Sequence, residues 1–259
     1  LKPFWLKTPG QLCSSLCHFI RFIMAVVAHW LGGHAKQRRV EGKSIHIEGS
    51  PGSLWSSRAE RLASFGKDQG PAENILVLDA TPDLTSLGVH VALTGTDWGE
   101  QAGVYAYVDE GNWVKLVVES GQEGAAALIF AEQHNFVPRV VGKVPLTAPV
   151  AGAALRLTMQ EDGTAVAEYS EEMDSTGAGT WRLVPRGLGW LTPGELEAAG
   201  LERGRLELDD PRAEERSLCA LPHPHGWRFA LLVEQWTERK QMPVVTFSLL
   251  DDVDIEVQE

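Results

Sequence analysis

The chain has 259 residues, 44% of them hydrophobic and 22% charged, with a formal net charge of −12. That length can bury a core without disulfides or metals, as one large β domain or two ordinary ones. The acidic balance excludes nucleic acid as a partner and disfavours anionic membranes, because both call for a basic surface; it suits cations, basic protein partners or neutral sugars.

Nine tryptophans are many for such a chain, and an indole is costly in water unless it packs or binds something. The three cysteines, Cys13, Cys17 and Cys219, supply no disulfide framework. Free thiols point to a reducing compartment, hence the cytoplasm, with secretion as the alternative. A zinc site recruiting Cys13, Cys17, His18, His29 and His34 would match no common ligand spacing, so neither a metal nor a cofactor is expected.

Residues 1–40 stand apart. "QLCSSLCHFIRFIMAVVAHWLGGHA" has a helical apolar pattern that ends at Gly32-Gly33, before "KQRR". His18, Arg21 and His29 interrupt it, and no run of about 20 apolar residues exists to span a bilayer. A short helical appendage over 1–40 is expected, with the main domain over 41–259.

From Ser44 the pattern alternates, the mark of strands. "SIHIEG", "LWSSR", "NILVLDA" and "LGVHVALTG" read as successive strands, and "AGVYAYVDEGNWVKLVVES" as a hairpin with a polar tip. "AAALIFAEQ" follows, then "VPRVVGKVPL", broken by two prolines, and a second hairpin turning at Asp162-Gly163. A helical and charged insertion occupies about 187–224: Thr192 is a fitting N-cap, Pro193 suits the first turn, Glu195 completes a capping box and Gly200 ends the helix. "WRFALLVEQW" and "VVTFSLLDDVDIEV" read as two strong closing strands. Many short strands with turn signals between them and little helix predict an all-β antiparallel sandwich or barrel.

The hairpin carries the candidate site. Pairing Val108 with Trp113 puts Tyr105, Tyr107, Val114, Leu116 and Val118 on one apolar face, the expected core side. Val104, Ala106, Val108, Trp113, Lys115, Val117 and Glu119 fall on the other. Period two makes Trp113, Lys115 and Glu119 point the same way. An indole beside charged groups on a concave sheet suits a sugar, whose apolar ring face stacks while its hydroxyls bond the neighbours. The plainer reading is an indole capping the core edge beside a solvated ion pair of little energetic weight.

"EQAGVYAYVDEGNWVKLVVE" resembles the most specific motif of a family of concanavalin A-like domains related to a yeast "regulation of enolase" protein and found at the C-terminus of some bacterial β-xylosidases. The matching residues are Gln101, Ala102, Gly103, Val108, Asp109, Asn112, Trp113, Val114, Lys115 and Glu119. "LRLTMQEDGTAVAEYSEEMDSTGAGTWRLV", through Trp181, and "VVTFSLLDDVDIEV" resemble two further segments in the same order. The resemblance covers about residues 44–259 and implies a two-sheet jelly roll of lectin and glucanase type, with no established catalytic residues. The family's usual opening "D-F-W" segment is hard to see, "LWSSR" being its nearest remnant.

Glycan recognition on the concave sheet is the leading expectation, with Trp113 stacking on the sugar, Lys115, Glu119 and Gln101 bonding hydroxyls, and Trp98 walling the groove. An intracellular protein-interaction or regulatory domain is the alternative. A third reading is catalytic. Retaining glucanases of this fold class use alternating acids on one strand, with carboxyls about 5–5.5 Å apart; Asp252, Asp254 and Glu256 alternate in "DDVDIEVQE". Against it, Asp252 stands where a Glu is usual and the strand closes the chain. A solvated outer face, with Val253, Ile255 and Val257 inward, or a cation site at Asp251, Asp252 and Asp254, ranks higher. The balance leans away from an enzyme. His223, His225, His134 and Asn135 are minor loop candidates.

Overall fold

The computed structural model describes residues 24–32, 38–51, 74–93, 99–109, 111–121, 125–134, 137–147, 152–161, 163–172, 179–185, 226–235 and 244–258. In chain order the strands are β1 Met24–Leu31, β2 Arg38–Glu41, β3 Ser44–Glu48, β4 Ser50–Pro51, β5 Ile75–Leu78, β6 Ser86–Leu93, β7 Glu100–Asp109 and β8 Asn112–Ser120. They continue with β9 Ala126–His134, β10 Val137–Pro145, β11 Ala153–Met159, β12 Ala165–Ser170, β13 Arg182–Leu183, β14 Arg228–Gln235, β15 Val244–Leu249 and β16 Val253–Gln258. No helix occurs among the described residues, so none there is long and apolar enough to cross a membrane.

The strands form two sheets. The larger runs β10-β9-β8-β7-β14-β5-β1-β16, with β4 beside β14; the smaller runs β13-β12-β11-β6-β15-β3-β2. Most pairs are antiparallel; β1–β16 and β4–β14 are parallel. The result is an all-β, two-sheet sandwich, one of the two architectures that the alternation predicts, of the jelly-roll kind that the resemblance implies.

Period two sorts the side chains between layers. Leu87, Val89 and Val91 of β6, Leu155 and Leu157 of β11, and Phe247 of β15 meet Val104, Leu116, Phe130 and Leu231 of the larger sheet in one buried cluster. Each such side chain contributes about 1.5–3 kcal/mol by leaving water. The prolines of "VPRVVGKVP" do not break β10, because it is an edge strand whose free side needs no ladder hydrogen bond.

Three expectations change. Residues 24–31 are strand, not helix: β1 lies inside the larger sheet, between β5 and β16, so the sandwich begins before residue 41. Its run of Val26, Val27, Ala28 and Trp30 fits either period, and β-branching favours the strand. The closing "VVTFSLLDDVDIEV" is two strands in different sheets, because the chain leaves one layer at Leu250–Asp252 and enters the other.

The third change concerns the hairpin. Tyr107, not Val108, pairs with Trp113, and a bulge lies between Tyr107 and Asp109. A slip of one residue flips a strand's faces. In β8 the expected faces hold. In β7 they reverse: Ala102, Val104 and Ala106 face the inter-sheet core, and Gln101, Tyr105 and Tyr107 face outward beside Trp113, Lys115 and Glu119. Residues 1–23, Trp98 and the insertion at 187–224 lie outside the described residues.

Candidate functional site

The hairpin tip is held by Asp109, whose Oδ1 accepts from the Gly111 amide at 2.8 Å and from Asn112 Nδ2 at 2.9 Å. Beyond it, β7 and β8 pair from Tyr107–Trp113 to Gln101–Glu119. Gly103 is needed midway. A Cβ on it would stand 2.2 Å from the Leu116 carbonyl oxygen and 2.7 Å from Val117 Cα.

This register gathers four of the five sequence candidates on the outer face of the larger sheet. Lys115 Nζ donates to Gln101 Oε1 at 2.6 Å and pairs with Glu234 Oε2 at 2.5 Å. Gln101 Nε2 in turn donates to Glu119 Oε2. The chain Glu119–Gln101–Lys115–Glu234 therefore crosses β8, β7 and β14. Two rings flank the ammonium, Trp113 at 5.1 Å and Tyr105 at 5.6 Å from their centroids, and they meet edge to face at 6.0 Å. The fifth candidate, Trp98, lies outside the described residues.

The cluster is not an open groove. Trp113, Lys115, Tyr105 and Glu234 are all 0% exposed, and Ile75, Val77, Ile129 and Leu232 join them in a second apolar cluster on this face. Only Glu119 is half-exposed. A lysine and a glutamate without water are tolerable only because each finds a charged partner and hydrogen bonds. Burial, and then the neighbouring Glu234 carboxylate, raise the Tyr105 phenol well above its usual range. The phenol therefore stays protonated beside that carboxylate, and its hydroxyl has no well-formed hydrogen bond among the described residues.

Glu234 and Tyr105 were not foreseen. Glu234 does leave a trace in "FALLVEQ": a carboxylate inside an apolar strand must have a buried partner. Tyr105 was hidden by the bulge at Val108.

A second buried acid faces the other way. Glu100, 2% exposed, alternates with the inward Ala102, and its amide donates to Ser120 Oγ at 3.2 Å. Burial raises its pKa above the ordinary 4.5. The folded state thus holds this proton more tightly than the unfolded chain. The resulting stability is complete below about pH 4.5 and is lost as pH rises through the folded value. Glu100→Gln, neutral at every pH, should therefore stabilise the protein at pH 7 and make little difference below pH 4, read by urea unfolding at both. An equal effect at the two pH values would show that Glu100 titrates as freely folded as unfolded.

The terminal acids do not form the expected trio. Asp252 precedes β16 and is held by Lys43 Nζ at 3.2 Å, while Asp251 Oδ2 accepts the Gly88 amide at 2.5 Å. Asp254 and Glu256 are exposed on an edge strand, with Val253 buried and Ile255 and Val257 half-buried against the core, which matches the solvated-face reading. Among the described residues no three His, Cys, Asp or Glu side chains group to hold a metal. His29 pairs with Asp79 at 3.3 Å. His18, His34, Asn135, His223, His225 and the three cysteines lie outside the described residues, and of His134 only the backbone is described.

The fold and this face define a jelly-roll β-sandwich with a polar cluster sealed into its larger sheet. Solved structures similar to it include a yeast protein and GH43 proteins. A functionally unknown protein from Saccharomyces cerevisiae is similar over 85% of this chain and 92% of its own, at 17% identity and a TM-score of 0.53. A bifunctional GH43-CE protein from Bacteroides eggerthii matches 85% of this chain with 22% of its own length, at 15% identity and a TM-score of 0.51. A substituted GH43 protein from Bacillus licheniformis matches 80% of this chain with 32% of its own, at 15% identity and a TM-score of 0.50. The chain thus spans about a quarter to a third of the GH43 proteins it resembles, and the likeness shows the fold alone. No family model matches the sequence, and no curated protein does.

Proposed function

We propose that the chain is a non-catalytic glycan-recognition domain, with the outer face of the larger sheet as its site. The observation that carries this reading is the Glu119–Gln101–Lys115–Glu234 chain capped by Trp113 and Tyr105. A desolvated ion pair there stabilises the fold less than well-packed apolar residues would, and such groups concentrate where a protein does something. The donors, acceptors and rings are those a pyranose takes. GH43 proteins carrying a similar sandwich are consistent with it.

Because Trp113 and Lys115 are sealed, a sugar meets Glu119 first and reaches the indole only when the face opens. Truncating Trp113 to Ala would remove a fully buried indole at about 3–5 kcal/mol, so gentler variants test the site. The intact protein should bind on a glycan array, and both Glu119→Gln and Trp113→Phe should weaken its best ligand by about tenfold or more, a change of about 1.4 kcal/mol. An array on which the intact protein binds nothing sinks the proposal.

The complete burial of Lys115 and Trp113 favours a second reading, in which the cluster only specifies the packing of this face and the chain serves as a protein-interaction domain. One stoichiometric protein partner, together with an empty glycan array, would establish it.

A further inference from the structure

At the end of the sandwich that carries the β7–β8 tip, the two layers part into a cleft of about 880 Å³. That lies within the roughly 300–1,000 Å³ of small-molecule sites. Leu84, Met159 and Phe229, all nearly unexposed, make its apolar floor. They come from the β5–β6 connection, the end of β11 and the start of β14. Trp227, half-buried, forms a wall and stands edge to face on Phe229 at 5.2 Å and 69°. Gln160 and Glu161, both exposed, and the half-buried Arg228 form a polar rim.

The walls are fixed by backbone hydrogen bonds. Leu84 N donates to Thr81 O at 3.1 Å, Met159 N to Thr85 O at 2.8 Å, and Gln160 N to Thr164 O at 2.8 Å. The cleft is therefore preformed, which lowers the ordering cost of binding. The Trp227 Nε1–H is buried and has no acceptor among the described residues, an uncompensated donor of the kind a folded chain rarely keeps.

We infer that this cleft is a second saccharide site, taking a pyranose ring of a neutral glycan. An apolar floor and an indole wall suit the C–H face of a sugar ring. A rim of amide, carboxylate and guanidinium offers acceptors and donors to its hydroxyls. Glu161 and the chain's net charge of −12 disfavour a polyanionic glycan. Unlike the sealed face of the larger sheet, this cleft is open among the described residues, so the inference does not rest on that face binding anything.

The test is titration of the full chain with xylohexaose and with cellohexaose, by calorimetry and by amide chemical-shift mapping. Shifts should gather at 80–85, 159–161 and 227–229. Trp227→Ala should weaken binding at least tenfold. Gln160→Ala, a change at an exposed side chain, should weaken it about threefold and serves if the tryptophan variant is unstable. If neither hexaose binds, or if binding survives both substitutions, the inference is overturned. Loss in Glu119→Gln with binding kept in Trp227→Ala and Gln160→Ala would overturn it too while leaving the sheet-face proposal standing.

Discussion

Glu234→Ala should destabilise the protein by about 3–5 kcal/mol in urea unfolding. The loss comes less from the missing attraction than from what remains: the Lys115 ammonium, 0% exposed, would lose the carboxylate that neutralises it while staying beside the neutral Gln101 oxygen and two ring faces. Lys115→Met should cost a similar amount, because it leaves the Glu234 carboxylate buried beside the Tyr105 hydroxyl. The double variant Lys115→Met, Glu234→Leu should recover most of the loss, since packed apolar pairs often replace buried ion pairs at no cost. The coupling between the two sites, read from the four-protein cycle, should exceed about 1 kcal/mol. A cost below about 1 kcal/mol for Glu234→Ala would mean that water reaches the ammonium.

Gly103→Ala is the second large effect. A methyl group there cannot be absorbed by rotating a side chain, because both nearest atoms, at 2.2 and 2.7 Å, are backbone of the neighbouring strand. The β7–β8 ladder itself must part, at the centre of the sheet. The cost should reach or pass the top of the usual 1–3 kcal/mol for overpacking. The same substitution should disturb the Lys115–Gln101 bond, which spans the two strands. Unfolding midpoints and loss of amide protection along 101–107 and 113–119 measure it. A variant as stable as the parent would show that the strands have room to separate.

Much of this was legible from alternation. The layered β architecture, the face of β8 and the inward valines of the last strand all follow from period two on half-buried strands. So did the shared face of Trp113, Lys115 and Glu119; Gln101 came with the motif instead, and it bridges Lys115 and Glu119 by hydrogen bonds. Three things were not. A bulge leaves no mark in hydrophobic pattern, so counting back from a symmetric turn misplaced Tyr105 and Val104. The strand at 24–31 is apolar at nearly every position, which erases the period that separates strand from helix. Burial of the candidate face was invisible as well, because alternation sorts side chains between two sides of a sheet without saying whether the outer side meets water.

Among the described strands, the one that completes the larger sheet beside β1 comes last in the chain. Met24 pairs with Val253 and His29 with Gln258, so β1 finds its second neighbour only after nearly the whole described chain has been made. Its first neighbour, β5, is available within a few dozen residues. During synthesis, then, β1 waits with one row of amides and carbonyls bare, and the long excursion between the partners slows closure. A neighbouring copy that offers its own β16 in that interval can complete the ladder equally well, which makes exchange of the final strand between nascent chains this molecule's natural route to misassembly.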